Sequence, residues 1–455
     1  MTNDLMSRCI VKLMLNPVGA LSQKQKLIMA AIASFVVTML LSLYFFHYDS
    51  EHWVYTIDSI ESGNGIYGLN GFYYPPLYGY ILSFLALMSD MFGIPITGIN
   101  PIDTDAPVVL GKFMYYHPAF SVIFKLIDAL AAVAIGYMIY VLVKDCTGRE
   151  DTAYKSALIW YFCPIVIQMV GVQGQFDVLA ILTALMCIIA LRKKSYFLAG
   201  ALFATSVLIK VFFAPCIVAL VLYIWLCEKD MKKTVRYTVY AAVGALLVTI
   251  LTYIPLVLDG TWQYSITFIT DRASREWYTT LATLAGAIPM LLMVLLCAVH
   301  MTKSESENAQ RELIIWSALL FGMAATMSPG YQYGPWIAVM ILMLWATMDD
   351  NRLYLHLFWG VSIFSTLQAI TITHLYQIWM GSYYWGIPSY IWVTEMSMAI
   401  HPVMSAICLA ISPVYIILTL LALILTVMTL FKGKNSKIDS ISEKIRSLGG
   451  TVNEI

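Results

Sequence analysis

Apolar residues fill the chain in blocks of bilayer length, separated by short polar connectors. A hydrocarbon core of about 30 Å takes about 20 residues of helix. On that measure the pattern predicts spans near 27–46, 118–143, 156–171, 176–191, 196–210, 211–227, 237–258, 279–299, 313–327, 335–348, 353–372 and 403–431. Twelve spans leave both termini on one side. The basic residues identify that side, because 22 of the 27 lysines and arginines then fall in its loops and tails, among them Arg8, Lys24, Lys144, Arg192, Lys232, Arg311, Arg352 and Lys444. By the positive-inside rule it is the cytoplasmic side. One apolar stretch, Leu77 to Met91, is left out of the count. Were it a simple span, every later basic cluster would move outside, so it is expected to be re-entrant or interfacial.

Composition agrees with the pattern. Hydrophobic residues make up 60% of the chain, charged residues 12%, and the mean hydropathy is +0.76, where soluble domains carry about 25% charged residues. The expected fold is therefore an all-α polytopic membrane protein. Residues 1–431 form one transmembrane domain and 432–455 a short cytoplasmic tail, in which Ile438, Ile441, Ile445 and Leu448 recur at helical spacing. The run from Leu27 to Phe46 has bilayer length rather than that of a signal-peptide core, and reads as a retained first helix. Acidic and basic residues number 27 each, so there is no basic field for nucleic acid. The eight cysteines include no CxxC pair, which argues against a disulfide or zinc framework.

Cytoplasmic loops are short, whereas the outer side carries three longer segments. Residues 47–117 hold seven acids (Asp49, Glu51, Asp58, Glu61, Asp90, Asp103, Asp105) and one basic residue, Lys112. Residues 259–278 carry Asp271, Arg272, Arg275 and Glu276, and 373–402 are rich in Tyr and Trp, with Glu395 and His401. Chemistry is expected on this outer face. Asp49, Glu51 and His52 follow the first span within a few residues and so sit at the membrane surface. Tyr73-Tyr74-Pro75-Pro76 re-aims the chain, because a residue before proline is pushed toward extended geometry.

The run Asp49-Ser50-Glu51-His52-Trp53, followed by Tyr73-Tyr74-Pro75-Pro76-Leu77-Tyr78-Gly79-Tyr80, resembles the first luminal loop of the GT-C glycosyltransferases. The closest cousins are the dolichyl-phosphate-glucose-dependent glucosyltransferases of the asparagine-linked glycan pathway. Their loop carries D-[FY]-E-A-Q-R-H-W and then D-Y-P-P-L-T-A-Y. Further on, P-I-V-I-Q-M-V-G-V-Q-G-Q-F-D (Pro164 to Asp177) and Ile209 to Pro215 are similar to two more of their segments. Three residues are missing between Glu51 and His52, the family's Q-Y-N is replaced by Gln175-Phe176-Asp177, and a later H-E-K segment has no counterpart near Ser328 to Pro335. The G-Q-F-D form is also similar to mannosyltransferases and other prokaryotic members of the superfamily.

The resemblance implies an inverting transfer of a hexose, glucose or mannose, from a polyprenyl- or dolichyl-phosphate donor to a lipid-linked or protein acceptor on the outer face. The membrane would be the plasma membrane of a prokaryote or the endoplasmic reticulum of a eukaryote. Asp49 matches the family's catalytic aspartate, its alternative being a helix cap. Glu51 is a second candidate, or tunes Asp49 by like-charge proximity. The outer cations able to meet a donor phosphate are Lys210, Arg272 and Arg275, against the alternatives of interfacial snorkelling for Lys210 and pairing with Asp271 and Glu276 for the arginines. His52, Trp53, Tyr74, Gln175, Asp177 and Tyr331 are candidates for sugar or acceptor contact. For Asp177 the alternative is a helix cap, and for Tyr331 an interfacial aromatic anchor. Lys125 and Asp128, three residues apart, are expected to neutralise each other inside the bundle. No cofactor and no metal site are expected, although the D-x-E pair leaves a divalent ion open. A lipid-linked oligosaccharide flippase or polymerase, or a secondary transporter, is the alternative class.

Overall fold

The computed structural model describes residues 22–47, 49–68, 72, 74–96, 117–265, 277–327, 330–348, 352–373, 377–379 and 387–432. Side chains at 46–52, 118, 277–286, 372–394 and 397–398 are outside that description. So are Arg272, Arg275, all of 97–116 and the tail with its expected amphipathic helix.

The described residues are mostly helical, with one departure from the all-α expectation. Helix α1 (Gln23–Tyr44) runs into strand β1 (Phe45–His47), followed by α2 (Asp49–Glu61), α3 (Pro76–Met91), α4 (Pro118–Thr147), α5 (Glu150–Tyr161) and α6 (Pro164–Ile167). A π-helical turn (Gln168–Gln173) leads to α7 (Asp177–Arg192) and α8 (Tyr196–Ile209), and a 3₁₀ turn (Val211–Cys216) leads to α9 (Ile217–Glu228). Then come α10 (Met231–Leu258), α11 (Trp277–Lys303), α12 (Ala309–Thr326), α13 (Gly334–Thr347), α14 (Arg352–Thr373), strand β2 (Gln377–Trp379) and α15 (Ile387–Phe431). The strands pair antiparallel, with Phe45 opposite Trp379.

Helix covers most of each of the twelve expected spans, although 27–46 ends in β1, and among the described residues six helices are long and apolar enough to cross a bilayer by themselves, seven if a bent pair is one span. The bent pair is α5 with α6 and the π-helical turn, at 42°. Its break lies at Phe162-Cys163-Pro164, where proline bars a continuous helix. The 3₁₀ turn before α9 likewise contains Pro215. Helix α3 has 16 residues and is not among the candidate spans. The segment 373–402, expected as a loop, is helical from Ile387 onward within the 45-residue α15, about 67 Å long at 1.5 Å per residue.

Burial follows membrane rules. The inner stripe of α1 is Leu27, Ala30, Ser34, Thr38 and Ser42, while Ile28, Ile32, Val36 and Leu40 face outward. Small and hydroxyl residues let helices approach, and lipid accepts the branched chains. Where α8 crosses α10, a Cβ on Gly200 would lie 1.7 Å from the Ala241 carbonyl and one on Gly244 2.0 Å from that of Phe197. Helix α13 is the axis of the core, with all of its residues buried. The chain is an integral membrane protein.

Candidate functional site

The connectors expected on the cytoplasmic face converge on one end of the bundle. There Lys144 pairs with Glu150, Arg192 lies 3.8 Å from Asp145, Lys194 pairs with Glu228, and Arg149 and Arg311 donate to the carbonyls of Ala346 and Thr347 at the end of α13. The other end of α13 meets the segments expected outside, and four of the five charged residues buried among the described ones, Lys125, Asp128, Asp177 and Lys210, lie there; the fifth, Glu312, faces His300 at the basic end at 3.1 Å.

Asp177 opens α7 directly after the π-helical turn, and Lys210 closes α8 in an extended conformation before the 3₁₀ turn. Lys210 Nζ donates to Asp177 Oδ2 at 3.2 Å, and Trp336 Nε1 donates to Asp177 Oδ1 at 2.9 Å. Both ions are shielded: Lys210 is 5% exposed and Asp177 0%. An ion taken out of water must find its charge and its hydrogen bonds inside the protein. Asp177 has both, and its carboxylate makes no helix cap, so that alternative is set aside. Nor does Lys210 snorkel, since its ammonium lies among aromatic faces rather than at an interface. The ring centroids of Tyr74, Phe176, Tyr333 and Phe212 are 4.6, 4.8, 5.0 and 6.0 Å from Nζ. A desolvated cation–π contact contributes about 2 kcal/mol.

The first outer segment is bound to this cage through Trp53 on α2, which is fully buried. Its ring centroid is 5.1 Å from Tyr78, 5.4 Å from Phe176, 5.6 Å from Tyr74 and 6.5 Å from Phe72. Tyr78 stacks on Phe176 at 3.7 Å. The Y-Y-P-P-L-Y run thus supplies two rings of one cluster, and the Tyr67 hydroxyl holds the Tyr74 carbonyl at 2.8 Å. At the far end of α2, the Glu61 carboxyl is pushed up from its ordinary value, first by partial burial, then by Asp90 and Asp58.

Of the residues singled out in the sequence, Trp53, Tyr74, Asp177 and Lys210 come together here. Gln175 is buried in the link between the π-helical turn and α7, and Tyr331 is half-buried in the same 3₁₀ turn as the cage residue Tyr333. Asp49, Glu51 and His52 lie on the first turn of α2, with side chains outside the description, and Arg272 and Arg275 lie outside it altogether. Among the described residues no three His, Cys, Asp or Glu side chains gather to hold a metal ion. Seven cysteines are free thiols.

The expected pairing of Lys125 with Asp128 is not formed. Lys125 Nζ donates instead to the carbonyl oxygens of Phe45 and of Val172, the latter at 3.0 Å, while Asp128 Oδ2 is buried without a hydrogen-bond partner. Spacing along a helix brings two side chains to one face, but carbonyls left open at nearby helix ends compete for the ammonium. Trp53 Nε1 and both amide atoms of Gln173 are also buried and unpartnered. An unmade buried hydrogen bond costs about 1–3 kcal/mol, so these three residues, Asp128, Trp53 and Gln173, mark a site kept for something other than stability. Sequence reading missed Phe176, Phe212, Tyr333 and Trp336 as partners of the buried ion pair. The available signal was Phe176 beside Asp177 and the density of aromatics in S-P-G-Y-Q-Y-G-P-W.

A comparison with curated proteins finds no match. Residues 118–255, just under a third of the chain and including Lys125, Asp128, Gln175, Asp177 and Lys210, match the family described as dolichyl-phosphate-mannose-protein mannosyltransferase. The likeness supports the superfamily to which the first outer segment is similar, and lends nothing to a closer kinship with the glucosyltransferases.

Proposed function

We propose that the protein is a polyprenyl-phosphate-dependent hexosyltransferase acting on the outer face of its membrane, with mannose ahead of glucose as the sugar moved. One observation carries the reading. The stretch similar to a mannosyltransferase family contains the Asp177–Lys210 cage, and the D-S-E-H-W helix docks on that cage through Trp53.

In the reaction an acceptor hydroxyl attacks the anomeric carbon from the side opposite the phosphate. The new glycosidic bond forms as the bond to the lipid phosphate breaks with its electron pair, which inverts the anomeric centre. Asp49 takes the hydroxyl proton, and Glu51 keeps it basic by like-charge proximity. Arg272 and Arg275 meet the charge growing on the departing phosphate. Lys210 already has a carboxylate partner, so any contact it makes with phosphate competes with Asp177; its ring of aromatics suits it to hold Tyr74 and Phe176 in place. The acceptor is a lipid-linked glycan or a protein, and transfer is expected to persist in the presence of a chelator.

The test is purified protein in detergent, given polyprenyl-phosphate mannose or glucose with lipid-linked and peptide acceptors. Transfer that needs the polyprenyl phosphate supports the reading, and no transfer from either donor to any acceptor defeats it. The outward face has a separate check. Cysteines at Ser62 and Thr104 should both react with an impermeant thiol reagent in intact cells, and labelling of Ser62 alone would mean that Leu77–Met91 crosses the bilayer.

A further inference from the structure

Lys125 is fully buried on α4, and it has no role in the reaction as drawn above. Its ammonium bonds two carbonyls that share one property. Phe45 is the C-cap of α1, and Val172 lies one residue from the end of the π-helical turn. Carbonyls at helix C-termini lack intrahelical partners, and each helix end carries the equivalent of about half a negative charge. Two such ends balance one ammonium, which accounts for a buried lysine that leaves Asp128 unpaired.

The residues just beyond each carbonyl give the contact its meaning. From Phe45 the chain reaches Asp49, the first residue of α2, in four residues, and from Val172 it reaches Phe176 and Asp177 in four and five. The loop between Val172 and Phe176 also passes directly over the lysine. Gly174 has φ +65°, and a Cβ there would lie 2.3 Å from the Phe124 ring and 3.1 Å from Lys125 Cε. On its other side, Phe45 is fixed by pairing with Trp379 in the β1–β2 ribbon.

We propose that Lys125 is a positioning residue, tying the end of α1 to the π-helical turn and so setting where α2, with Asp49, stands relative to the Asp177–Lys210 cage. The kinetic part of this inference rests on the proposed function; the geometric part does not.

The experiment is hydrogen exchange on full-length Lys125→Met and Lys125→Arg in detergent, alongside transfer kinetics. In the Met variant, residues 45–61 and 168–177 should exchange at least roughly 10-fold faster while α12 and α13 keep wild-type protection. Turnover should fall about 100-fold, as expected for misplaced reacting groups, with KM for the polyprenyl-phosphate sugar within about threefold of wild type. Arginine, whose fork can serve two carbonyls, should restore most of the protection and turnover. Wild-type exchange in both segments of the Met variant overturns the proposal. So does loosening spread evenly through α12 and α13, which would make Lys125 a general support of the fold. Should the Met variant not fold, Lys125→Gln, which keeps one donor, is read on the same segments against the same two outcomes. If wild-type protein transfers no sugar at all, the proposed function falls while the exchange result still decides the role of Lys125.

Discussion

The exposed ion pairs at the basic end of the helical bundle and the buried pair at its other end treat charge in opposite ways, although the basic end also holds one largely buried contact, His300 with Glu312 at 3.1 Å. At the basic end Lys144 and Glu150 approach to 2.7 Å, as do Lys155 and Asp151, with about half of each side chain exposed. At the other end Lys210 and Asp177 are farther apart, at 3.2 Å, with side chains 6% and 1% exposed. Distance ranks these contacts in the wrong order of importance. Water already solvates an exposed pair, and losing a partner exposes nothing new. A buried ion has no such fallback, so its partner, its indole donor and its aromatic walls act as one unit. Charge at the basic end is of the kind that sorts loops by side; charge at the aromatic end holds the geometry of a cluster of buried side chains.

The sharpest break of that contrast comes from Asp49, the candidate base of the aromatic end. Asp49→Asn should lower turnover by about 10²–10⁴, the usual cost of losing a positioned base, without weakening donor binding or the fold. Wild-type turnover by the purified variant would remove Asp49 from the chemistry. Lys210→Met comes next and should cost about 3–5 kcal/mol of stability by stranding the Asp177 carboxylate. In the double variant with Asp177→Asn much of that loss should return, and a thermal melt in detergent reads both. If the single variant melts with wild type, the buried pair is no different in kind from those at the basic end.

Arg272→Gln and Arg275→Gln should each lower turnover by the equivalent of about 3 kcal/mol, by analogy with deletion of one donor to a developing oxyanion. If both variants turn over normally, the phosphate is held elsewhere. At the bottom of the scale, Lys144→Gln should leave melting and turnover unchanged; a clear drop in either would show that the basic end also contains a built site.

Pattern and charge sorting went far because membrane physics constrains them. A span must be apolar along its whole length, and basic loops gather on one side, so the expected spans fall on helix over most of their length, with 27–46 ending in β1 and 156–171 broken at Pro164, and the basic connectors meet at one end of α13. Span integrity was harder to read, since whether Pro164 bends a helix or ends it depends on what packs beside it. Within the site, the residue types Asp177, Lys210, Trp53 and Tyr74 were visible as polar or aromatic exceptions in an apolar or outer-facing context. Their partners were not: Trp336 lies 159 residues from Asp177, and nothing local marks one tryptophan among twelve.

Lys125 and Asp128 show the limit most clearly. Their spacing of three places both on one face of α4, and local rules then predict an ion pair. Sequence by itself determined that this is a helical membrane protein, which end is basic, and that the acids gather in the first outer segment, because hydropathy and charge act residue by residue. Only the tertiary structure decided what each buried lysine meets, the Asp177 carboxylate for Lys210 and two backbone carbonyls for Lys125. That choice depends on which helix ends, rings and indole donors arrive within about 3–5 Å from segments distant in the chain.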